Sequence, residues 1–147
     1  MGCGVRITHW QTALMARAQA LLGTAFEYGQ TDCPMVCLFM HDAMTGKNEA
    51  EVHRGNWTDR ATGLAYVKRT GNGLEAVLRR LGGVDIKKGF QQPGDFILTI
   101  GPDGWVRGHV CLGASTISAD RERGIALYDT QSILTLPEHT HIILRIT

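Results

Sequence analysis

The sequence contains no apolar run approaching the roughly 20 residues that cross a bilayer. Its N-terminus also lacks the apolar core of a secretory leader. Membrane insertion is therefore not expected, and synthesis in the cytoplasm without a signal peptide is. The chain has little charge of one sign: 15 Lys and Arg against 14 Asp and Glu leave a net +1. Its basic residues are scattered and form no stripe able to neutralise phosphates, so nucleic acid is not an expected partner. Proline is scarce, at four residues, and no biased tract or linker divides the chain. A length of 147 residues then reads as one domain spanning 1–147, large enough for a proper core. Cysteine is sparse too, at positions 3, 33, 37 and 111. A chain that is 44% hydrophobic does not need a disulfide framework, so free thiols are expected. The opening Met1-Gly2-Cys3-Gly4 invites an acylation reading, but Arg6 stands where myristoylation wants Ser or Thr.

What is plentiful is glycine, 18 residues clustered at element boundaries, which suggests tight turns between short elements. Thr8 can cap a helix from His9 to Leu22, with Trp10, Leu14, Ala18 and Leu21 along one stripe. A second helix is predicted from Cys33, with Pro34 in its first turn, a wide apolar face through Val36, Phe39, Met40, Ala43 and Met44, and Gly46 as its end. A polar segment follows from Lys47 to Asn56. Helices are then expected from Asp59 to Arg69 and from Leu74 to Leu81. Beyond Gly82-Gly83 the character changes. The turn Gln92-Pro93-Gly94-Asp95 opens a strand at 96–100, and further strands are expected at 109–112, 116–118, 125–128 and 141–146. Helices first and then an antiparallel meander make an α+β arrangement.

One cysteine differs from the others. At a helix start, free backbone N–H groups and the positive end of the helix dipole favour a thiolate. The same N–H groups can hold the oxyanion of a tetrahedral intermediate. Cys33 is so placed, whereas Cys37 falls on an apolar helix face and Cys111 inside a strand. An imidazole would serve as its base and acid. His9 and His41 lie on helices, His53 in a loop, and His139 and His141 near the end. His109 is distinguished by the preceding Gly108 and the apolar strand that follows.

Tyr28-Gly29-Gln30-Thr31-Asp32-Cys33, then Pro93-Gly94-Asp95-Phe96-Ile97, then Gly108-His109-Val110 resembles, in this order, the NlpC-type papain-like cysteine peptidases. The likeness is greatest to compact members encoded with bacteriophage and gene-transfer-agent tail genes. It implies a papain-like fold, with N-terminal helices packed on an antiparallel β-sheet or partial barrel. It implies Cys33 as nucleophile, His109 as general base and acid, and Tyr28 and Asp32 as residues that support the site and hold substrate. The histidine-orienting residue falls on the strand after His109, where Ser118 sits near the expected position and Asp120 is chemically better suited. The implied substrate is a bacterial peptidoglycan stem peptide, with no metal or organic cofactor. The implied setting is a virion tail, with tail-tip or hub proteins as partners. The chain departs from the family pattern in having Pro34-Met35 where Ser-Gly is usual, and Pro34 removes an N–H near the oxyanion.

Two rival readings stand beside the hydrolase. Cys33, Cys37 and His41, spaced i, i+4 and i+8, could join His109 or Cys111 around zinc. Alternatively, the fold is kept and catalysis lost, leaving a structural or adaptor protein of a phage tail tip. Trp10, Trp57 and Trp105 are too dispersed for a sugar platform and read as core or loop anchors; Arg121-Glu122-Arg123 reads as a solvated turn.

Overall fold

A computed structural model describes residues 6–147. The Met1-Gly2-Cys3-Gly4 segment and its acylation reading lie outside the described residues. The first half is helical: α1 (Trp10–Leu21), α2 (Cys33–Thr45), α3 (Glu49–His53), α4 (Arg60–Thr70) and α5 (Leu74–Arg80). The second half supplies β1 (Val84–Asp85), β2 (Phe96–Ile100), β3 (Val106–Cys111), β4 (Ser115–Asp120), β5 (Gly124–Asp129), α6 (Thr130–Leu134) and β6 (Thr140–Arg145). All six strands join one antiparallel sheet, ordered β1-β6-β2-β3-β4-β5. The α+β class expected from the sequence is what the chain adopts. No helix among the described residues is long and apolar enough to cross a membrane.

The centre of the molecule is α2, and it is more deeply buried than its single apolar face suggested. Val36, Cys37, Met40 and Met44 pack with Phe96, Leu98 and Val110 of the sheet and Leu14 and Ala18 of α1. Met35 and Leu38, on its other side, pack with Trp57, Tyr66 and Val77. The helix is thus a shared wall between two apolar clusters. Asp32 caps its start by accepting from the Met35 N–H at 3.2 Å, and Gly46, at φ 72°, closes its end as expected.

Several local expectations shift. The residue before the first turn of α1 is His9, left-handed at φ 61°, with no side-chain cap, so Thr8 does not hold that role. The polar segment 47–56 contains α3, whose first N–H groups are held from a distance: Asp42 of α2 accepts from Glu49 and Ala50 at 3.0 and 2.9 Å. A cap seven residues upstream carries no local sequence signature. Asp59, by contrast, caps α4 in a reciprocal box with Thr62.

The Pro-Gly-Asp segment turns as expected, with Gly94 at φ 92° and the Asp95 N–H on the Gln92 carbonyl at 3.0 Å. Its aspartate is structural. Asp95 is fully buried and accepts twice from the Arg145 guanidinium, at 2.8 Å each, tying the start of β2 to the end of β6.

The sheet has two different faces. Phe96, Leu98, Val110 and Leu144 point to α2, while Ile97, Cys111 and Ile143 point away, into a cluster closed by Ile133 and Leu134 of α6. Side chains alternate along a strand. Gly108 therefore shares the α2 face with Val106 and Val110. His109, paired across from Ile97, belongs to the opposite face.

Candidate functional site at the head of α2

Cys33 occupies the first position of α2, as the sequence predicts, and opens on a cavity of about 660 Å³. Its sulfur accepts from the Gly108 N–H at 3.4 Å. That contact exists because the β3–β4 ladder is open at this point. The two strands pair only at Val110↔Ile117 and Cys111↔Thr116. Beyond them, Cys33 Sγ takes the freed Gly108 N–H, and Ser118 Oγ donates to the Gly108 carbonyl at 2.6 Å. Any side chain at position 108 would force its neighbours to shift: a Cβ there would come within 2.5 Å of Leu74 Cδ2 and 2.7 Å of Cys37 Sγ.

The thiol is not activated in this setting. Burial pushes Cys33 up to about 11; the Gly108 N–H and the Arg107 charge pull downward, and the neighbouring Asp32 carboxylate pushes further up. Desolvation exceeds what the helix start contributes. The thiol, not the thiolate, is the form at neutral pH.

His109 is not joined to it. The imidazole is 1% exposed, lies edge-on to Tyr128 at 5.8 Å, and has no hydrogen-bond partner among the described residues at either ring nitrogen. Burial, then the nearby Arg107 charge, hold it down to about 3, so it is neutral. On the α2 face of β3, the side chain that shares the Cys33 cavity is Val106. The histidine that lines this cavity is His53, and its ring is bonded to Tyr66 Oη at 2.6 Å and to Glu49 at 3.2 Å.

The remaining expected site residues are also committed elsewhere. Ser118 is directed to the Gly108 carbonyl. Asp120 accepts from Tyr128 Oη and from the Glu122 and Arg123 N–H groups at 2.9 and 2.6 Å, which shapes the β4–β5 turn. Neither residue hydrogen-bonds the His109 ring. Asp32 is 4% exposed and accepts from Gly29 N, Met35 N and Trp57 Nε1, at 2.8, 3.2 and 2.6 Å. Its carboxylate anchors Trp57 and the helix start and has little capacity left for a substrate. Burial raises its pKa, against those three hydrogen bonds. Tyr28 lines the cavity, edge-on to Phe26 at 4.9 Å. Among the described residues, no group of three or more His, Cys, Asp or Glu side chains is placed to hold a metal ion. Cys33, Cys37 and His41 do not converge on one.

The sequence reading missed Arg60 and Arg107, and took Trp105 for a core or loop anchor where it also lines the cavity. Arg107 reaches across the opened ladder to the Ala119 carbonyl at 3.2 Å and lines the cavity beside Cys33. Arg60 lies 4.1 Å over the Trp105 ring, joining the start of α4 to the loop before β3 across the cavity. Arg107 directly precedes Gly108 in sequence, and that adjacency was the one available signal.

A family model described as a domain of unknown function, DUF6950, matches residues 5–136. The chain belongs to this family. The match covers the helices and the sheet as far as α6, and so includes every residue of the Cys33 cavity. No curated protein matches the chain.

Proposed function

We propose that this member of the family is a papain-like domain that has kept the thiol-bearing helix and lost the paired base, and that it works as a structural or adaptor component of a phage tail tip. One observation carries the reading: Cys33 meets the α2 face of the sheet at Gly108, whereas His109 belongs to the opposite face and is not among the residues that line the Cys33 cavity. Burial holds the Cys33 thiol up, near 11, and the His109 imidazole down, near 3, so both groups favour their neutral forms at neutral pH. The papain-like assignment is supported by a cysteine-headed helix packed on one face of an antiparallel sheet. The tail setting and hub partners rest on the ordered sequence resemblance.

A second reading, a cysteine-dependent hydrolase of peptidoglycan stem peptides, is favoured by the 660 Å³ cavity at the Cys33 sulfur and by the Gly108 N–H that faces it. Incubation of wild-type and Cys33→Ala protein with purified cell-wall fragments separates the two. The adaptor reading expects identical product profiles. New stem-peptide fragments released by the wild type alone would overturn it.

A further inference from the structure

The cavity has a chemical character independent of whether Cys33 reacts. One wall is apolar, formed by Trp57, Leu64, Val67, Leu74 and Val77. Leu64 and Val67 leave α4 with 51% and 40% of their surface exposed, so the wall carries apolar area that none of the described residues covers. The polar atoms on this side are already used: Trp57 Nε1 donates to Asp32, and Tyr66 Oη bonds His53 and Asn72.

The other end is charged, and its two signs are not equally free. Asp32, Asp59 and Asp120 accept from internal N–H and O–H donors, which leaves Glu122, exposed at the turn, as the carboxylate without such a bond. Arg107 and Arg123 donate to backbone carbonyls, of Ala119 and Leu127, and flank the Tyr128 ring at 5.7 and 4.7 Å. Neither guanidinium has a carboxylate within 4.0 Å among the described residues; Arg107 lies beside Tyr128 Oη, with the Asp120 carboxylate, itself bonded to Tyr128, beyond it. A planar fork of donors left in this state suits a carboxylate.

We propose that the cavity binds a small amphiphilic monocarboxylate, an acyl chain laid along α4 and α5 with its carboxylate at Arg107. A peptide fits less well, because its amides would face the apolar wall without partners. The volume is in the range of ligand-binding clefts.

The test is calorimetric titration of the full chain with dodecanoate below its micellar concentration, followed in parallel by the fluorescence of Trp57 and Trp105. Saturable binding is expected, weakened at least tenfold by Arg107→Gln, while dodecanol binds both proteins equally. Val67→Glu, at an exposed position of α4, is expected to abolish dodecanoate binding without loss of fold by circular dichroism. Three results would overturn the proposal: no saturable binding, equal dodecanoate affinity in wild type and the folded Arg107→Gln protein, or tighter binding of a short apolar peptide with a free C-terminus.

Discussion

At the scale of single residues, the chemistry is decided by which environment each side chain meets. Cys33 sits where a helix start should favour a thiolate, yet loss of solvent outweighs that effect. Alkylation of Cys33 by iodoacetamide, read by mass spectrometry, is expected to be slow at pH 7 and to accelerate only as pH approaches about 11. A titration midpoint at or below neutrality would restore the activated thiol. His109 makes a different prediction. Its folded pKa, about 3, lies below the ordinary 6.5, so below 6.5 the unfolded chain takes up a proton that the folded chain refuses. Its contribution is full above pH 6.5 and is lost as pH falls toward 3. The slope is at most about 1.4 kcal/mol per pH unit. Denaturant unfolding of wild type and His109→Gln at pH 7 and pH 5 should show the wild type losing more stability on acidification. Gly108→Ala is expected to cost about 1–3 kcal/mol, because the new methyl group overlaps Leu74 and Cys37.

At the scale of elements, the long periodic segments were legible and the short ones were not. The helix headed by Cys33 and closed by Gly46 was readable from Pro34, the apolar spacing and the glycine, and the β2 strand from its Pro-Gly turn. The two-residue β1 exists only because β6 pairs with it, and α3 depends on the distant Asp42, so neither has a local pattern. The site was half legible for a related reason. Sequence spacing placed Cys33 on a helix and His109 on a strand, but the face of that strand is fixed by Gly108, whose hydrogen in place of a side chain lets α2 approach. A one-residue step along a strand reverses direction. The Asp95–Arg145 pair carries a stability prediction at this scale: Asp95→Ala should cost about 3 kcal/mol in chemical denaturation, since it leaves Arg145 unpaired at the joint between β2 and β6. Helix α4 should be the weakest large element, because Tyr66 is its only buried residue. Hydrogen exchange is expected to open residues 60–70 before α2, and Asp59→Ala, which removes the capping box, to accelerate it further at a cost of about 1 kcal/mol.

At the scale of the whole molecule, α2 separates two apolar clusters, and a third lies behind the sheet. The cavity opens where helices α4 and α5 face the β3 strand and the β4–β5 turn. Its walls thus come from both halves of the chain. If it holds an acyl carboxylate, saturating dodecanoate should raise the unfolding midpoint of the full chain, since a ligand that binds only the folded state stabilises it by mass action.

The open ladder between β3 and β4 has a mechanical consequence. Two residue pairs fasten the β4–β5 hairpin to its neighbouring strand, and past them the joint is closed by the sulfur of Cys33 from one side and the hydroxyl of Ser118 from the other. The thiol acts here as a rivet. Under tension along the chain, the sheet should part first at this seam, and a bulky group attached to the sulfur would act as a wedge in it.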